Sequence, residues 1–112
     1  MFNETTLAKL EFVLLMMGDV EKIVGRHSGL DSCLDDVEGH HAIMMCLLQI
    51  GESLSKIKEK EAADKLPVGL AYKMRNVIAH DYLGVNLEMI KSTINNDIPE
   101  LKKLVIALLA VK

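Results

Sequence analysis

Apolar residues recur along this chain every three to four positions, the spacing of one face of a helix. Leu7, Leu10, Leu14, Met17 and Ile23 mark a first helix from about Thr5 to Val24, with Phe2 packing at its entry. Asn3 or Thr5 can cap its start, and Gly25 can end it. Arg26 to Leu30 reads as a loop. A second helix starts near Asp35 or Asp36 and runs to about Lys60. It carries two interleaved apolar sets: Val37, Met44 and Leu48, and Ile43, Leu47, Ile50, Leu54 and Ile57. So wide an arc predicts a central helix with neighbours on two sides, or a core on one side and a partner on the other. Gly51 in its middle costs about 1 kcal/mol relative to Ala, which points to a close helix approach there.

The run Lys56 to Glu61 alternates charge and reads as a solvated helix end. Pro67 pushes Leu66 out of the helical region and suits the first turn of a third helix. That helix covers about Pro67 to His80, with Leu70, Met74, Val77 and Ile78 on its apolar face. A short fourth helix lies near Leu87 to Asn95. Asp97-Ile98-Pro99 opens a fifth, with Leu101, Leu104, Val105, Leu108 and Leu109 inward. There is no internal repeat or linker, so residues 1–112 form one domain, an all-α up-and-down bundle of four to five helices.

Composition agrees. Half the residues are hydrophobic but only 4% are aromatic, a Leu, Ile, Val, Met and Ala content that suits helices over strands. The net charge of −3 does not advertise a nucleic-acid binder, so any anion site is local. Cys33 and Cys46 form no CxxC motif and read as free thiols. The N-terminus lacks the basic start of a secretory signal. The longest apolar run, Leu104 to Val111, is far short of the roughly 20 residues a membrane span needs. These features predict a soluble, cytoplasmic protein.

Candidate chemistry concentrates in Arg75-Asn76-Val77-Ile78-Ala79-His80-Asp81-Tyr82. Guanidinium, imidazole and phenol can bind a phosphate, move a proton and offer a nucleophilic oxygen. The bland reading is a surface arginine, a histidine near a helix C-terminus and a half-buried tyrosine. Asn76 and His80 are four apart and share a helical face. Arg75 and His80 are five apart, about 140° around an ideal helix. One helix does not clamp both onto one atom, so either the helix distorts or two copies combine across a symmetry axis.

His40-His41 point about 100° apart on a helix and make a poor chelate, so no metal site is expected. Asp35, Asp36 and Glu38 read as helix N-terminal charges. Glu52 reads as a solvated charge in preference to a group that orients the motif. Six methionines read as core or interface fillers.

Met74 to Tyr82, followed by Leu83-Gly84-Val85-Asn86, resembles the signature of HEPN domains of the HepT type, with the Arg-x4-His-x-Tyr pattern complete. Leu48 to Ser55 is similar to the family's second-helix segment, and Asp97 to Leu101 to its last-helix entry. Lys73 departs from the small residue common before Met-Arg-Asn and would add positive charge at a phosphate. The resemblance implies an all-α homodimer whose two motifs meet in a composite cleft. It implies a metal-independent endoribonuclease toxin with no cofactor, acting on RNA. Arg75 and His80 would be catalytic, with Asn76 supporting them. Tyr82 would be the site where a partner minimal nucleotidyltransferase, the antitoxin, adds AMP. The alternative is a non-catalytic HEPN module that presents nucleotide or substrate to that transferase.

Overall fold

The computed structural model describes residues 2–67, 69–81 and 87–110, with the backbone alone for 77–81. Every regular element among them is helical: α1 (Glu4–Gly25), α2 (Leu30–Asp35), α3 (Val37–Ser55), α4 (Lys60–Ala63), α5 (Leu70–Asp81), α6 (Leu87–Ser92) and α7 (Ile98–Ala110). A π-helical turn, Thr93–Asp97, joins α6 to α7.

Four rods build the bundle: α1, α3, α5 and the run from α6 to α7. Asn3 caps α1, its side chain accepting from the Thr6 amide at 2.8 Å. Phe2 is buried at the entry, as the pattern predicts. The wide apolar arc of α3 is matched by several neighbours, since α3 packs on α1, α2 and α5. Leu10, Val13 and Met17 of α1 meet Ile43, Leu47 and Ile50 of α3 in the core, with Met74 of α5 and Leu101 and Val105 of α7.

Four boundaries differ from the sequence pattern. Residues 30–35 form a helix where the pattern gives none. It is too short to show a period, yet it buries Cys33 and Leu34. Val37 is not inward but 72% exposed, because α3 begins there, behind its N-cap Asp36. α3 stops at Ser55, five residues early, and Ile57 reaches the core from the loop that follows. α5 starts at Leu70 because Gly69 takes φ +85°, a left-handed turn that parts Pro67 from the helix.

The expected break before Pro99 is a fifth difference. Proline lacks a backbone N–H donor and its ring clashes with the carbonyl four residues back. Here the ladder widens instead: the Ile98 amide donates to the Thr93 carbonyl, five back. That shift lets the helix pass through Pro99 as a π turn. None of the helices among the described residues is long and apolar enough to cross a membrane.

Candidate active site

Gly51 sets the geometry of the motif helix. A Cβ there would lie 3.3 Å from Met74 Cβ and 3.4 Å from the Ala71 carbonyl oxygen. The missing side chain lets α5 settle onto α3 at the turn that carries Arg75, the close approach predicted for this glycine. Glu52 and Ser55 follow on α3, three apart and on one face.

Arg75 reaches across to both. Its Nε pairs with Glu52 Oε1 at 2.9 Å. Its Nη2 donates to Ser55 Oγ, also at 2.9 Å. The Ser55 hydroxyl in turn donates to the Glu52 carbonyl oxygen at 2.8 Å, which fixes its lone pairs toward the guanidinium. A planar fork held at two corners has a defined plane. The Arg75 side chain is still 47% exposed, so its remaining N–H groups can face solvent and a ligand.

Glu52 is therefore not a solvated charge, as the pattern suggested, but the partner of the motif arginine. Its position beside Gly51 was the available signal: the glycine marks the seam, and the next residues lie along it. Ser55 carried no signal beyond its three-residue spacing from Glu52.

Lys73 lies two residues before Arg75, about 200° around the helix. It points to the other side of α5, where its Nζ donates to Asp97 Oδ2 of the π turn. The structure thus separates Lys73 from Arg75. Asn76 is half-buried on α5. His80 lies on the last turn of α5, where its backbone alone is described, and Tyr82 lies outside the described residues.

A second polar cluster sits at the corner of α1, α2 and α3. His27 Nδ1 lies 2.8 Å from the Ile23 carbonyl oxygen, and Nε2 3.2 Å from Asp36 Oδ2. Both neighbours are acceptors, so a doubly protonated ring satisfies both. The Ile23 carbonyl and then Asp36 hold the His27 pKa above its ordinary value, against desolvation. The Gly39 amide, first, and then His27 hold the Asp36 carboxyl below its own. Cys33 and Cys46 are buried free thiols, and burial raises the pKa of each. His40 and His41 rings stand edge to face, centroids 5.9 Å apart. Among the described residues no three His, Cys, Asp or Glu side chains gather as a metal site would require.

Comparison with known proteins gives the chain a family. The family model described as Ribonuclease HepT-like matches residues 14–108. Two proteins of Methanocaldococcus jannaschii, named "Putative RNase MJ0125" and "Putative RNase MJ1216", are each 34% identical over 65 residues, 56% of this chain. That stretch is 56% of the first and 54% of the second, so the match spans about half the length of these curated relatives. No solved structure matches the chain. The match over most of the chain, on an all-helical bundle with the Arg75 motif at its α3–α5 seam, makes it a member of the HepT-like ribonuclease family.

Proposed function

We propose that this protein is an endoribonuclease toxin of a two-component module, and that it cleaves RNA without a metal ion. The observation that carries the reading is the clamp on Arg75. Glu52 and Ser55 fix its fork at two corners while half of the side chain stays exposed. A surface arginine with no task needs no such fixing, whereas a group that must meet a developing charge gains from it.

RNA supplies its own nucleophile, the 2′-hydroxyl. His80 takes that proton; an imidazole with an ordinary pKa of about 6.5 is matched to the task near neutrality. The O2′–P bond forms, and Arg75 neutralises charge on the phosphorane. The P–O5′ bond then breaks, and an acid, either His80 of a second copy or water, protonates the leaving oxygen. The products are a 2′,3′-cyclic phosphate and a 5′-hydroxyl. Asn76 shares the His80 face of α5 and supports the imidazole. Lys73 could add to the attraction of a phosphate only by releasing Asp97.

Arg75 and His80 diverge by about 140° on one ideal helix, so the active unit in this reading is a homodimer whose two motifs meet in one cleft. Tyr82 is the control point. AMP on its phenol, added by a partner nucleotidyltransferase, would place bulk and negative charge where the RNA backbone must enter.

Purified protein should cut RNA in the presence of EDTA and leave cyclic phosphate ends, and His80→Ala should not. Full activity in folded His80→Ala would sink the assignment. Intact mass after incubation with the partner transferase and ATP should rise by one or more AMP groups. A rise that persists in Tyr82→Phe would count against Tyr82.

A further inference from the structure

α3 ends at Ser55, and the lysine-rich segment that follows is not simply a solvated helix end. Lys58 folds back, its Nζ donating to the Ser55 carbonyl oxygen at 3.0 Å. The Arg75 guanidinium donates to the hydroxyl of the same residue. Two cations from different elements therefore converge on Ser55, separated by no more than two hydrogen bonds and the width of one residue.

Their partners differ. Arg75 is matched by Glu52. Lys60, Lys73, Lys91 and Lys102 are likewise matched, by Asp64, Asp97, Asp31 and Glu21. Lys58 holds only a neutral carbonyl, with no carboxylate partner among the described residues. The exposed Lys56, beside it, has none there either. Replacing a neutral acceptor with an anion gains Coulomb energy, whereas leaving a carboxylate for an anion largely exchanges like for like. A lysine also suits an exposed phosphate, as a compact charge on a flexible stem.

We infer that Lys58 is a second phosphate contact, binding the RNA backbone beside the phosphate that Arg75 holds, so that the strand runs over the C-terminal end of α3. This rests on the RNA-cleaving reading above. It assigns the approach of the strand to the α3–α4 loop, away from Lys73.

The test is the salt dependence of RNA binding, followed by fluorescence anisotropy of a labelled single-stranded RNA on non-cleaving His80→Ala protein. Adding Lys58→Gln should weaken binding several-fold at low salt. It should also flatten the slope of log affinity against log salt by about 0.7, the release expected for one phosphate contact on a single strand. Lys58→Arg should restore both. An unchanged slope overturns the inference, including the case in which Lys58→Gln lowers Tm alone, as loss of a mere helix cap would. Cleavage by wild-type protein, measured in parallel, reports on the RNase reading alone. A Lys58-dependent slope without cleavage would keep the contact and reject that reading.

Discussion

The corner of α1, α2 and α3 and the seam of α3 and α5 are built from the same parts. Each has a glycine that lets two elements touch, an acidic side chain beside it and a basic side chain from another segment. At the corner, Asp36 accepts from the Gly39 amide at 2.8 Å and faces His27, whose other nitrogen faces the Ile23 carbonyl. Both ring nitrogens of His27 are turned on the protein itself, and that side chain is only 25% exposed. At the seam, Glu52 and Ser55 take two corners of Arg75 and leave the rest of a half-exposed guanidinium outward. A self-contained cluster is built for stability. A clamped but open one is built to meet something. The same ion-pair chemistry thus reads as structure or as function according to which donors remain.

Breaking each acidic partner should separate the two most sharply. Glu52→Gln loosens the plane of Arg75, and misplacement of a catalytic group by about 1 Å can cost on the order of 100-fold in rate. Cleavage should fall by about 10- to 100-fold, while stability drops by less than about 1 kcal/mol, since the pair is half-exposed and screened. Asp36→Ala should do the reverse, lowering stability as an N-cap is removed, with the cleavage rate unchanged. Steady-state cleavage kinetics and urea melts of both variants measure the contrast.

The two glycines sharpen it. A Cβ on Gly39 would lie 2.5 Å from the Cys33 carbonyl oxygen and 3.1 Å from His27 Nε2, so backbone must move. Gly39→Ala should destabilise by about 1–3 kcal/mol, the usual range for overpacking. At Gly51 the nearest atoms are 3.3 and 3.4 Å away, and α5 can yield by a few tenths of an ångström. The better helix propensity of alanine returns about 1 kcal/mol, so Gly51→Ala should nearly hold its Tm. Activity should still fall, because Arg75 moves with α5.

The smallest effect is pH-dependent. Because the His27 pKa is raised in the folded chain, its contribution is fully present below the ordinary imidazole value of about 6.5. It is lost as pH rises through the raised value. Asp36, whose pKa is lowered, contributes above its ordinary carboxylate value and loses that as pH falls. Tm should therefore be highest between the two ranges. His27→Gln should flatten the loss on the alkaline side and leave the acid side in place.

Much of this was legible in the sequence. Long helices announce themselves by period, and the Asn3 cap and the Gly51 contact follow from local chemistry. What escaped is what depends on distance in space. α2 and α4 are too short to show a period. Pro99 reads as a helix start, because nothing in sequence reveals that the ladder can widen by one residue. Arg75 stood out in the sequence as a candidate site residue, but its partners did not. Glu52 and Ser55 sit some twenty positions away, and only the packing of α5 on α3 brings them to the guanidinium. Lys58 looked like part of a solvated run because its hydrogen bond depends on α3 ending at Ser55.

The central claim is that a clamped guanidinium at the α3–α5 seam drives RNA cleavage. Arg75→Lys tests it most directly, since it keeps the charge and removes the fork. Lysine cannot bridge Glu52 and Ser55 and still present donors in a fixed plane. In an RNA-cleavage assay with EDTA, at equal folded concentration by circular dichroism, the variant should be about 100-fold slower than wild type. Cleavage by Arg75→Lys at the wild-type rate, or no cleavage by the wild type, would contradict the account.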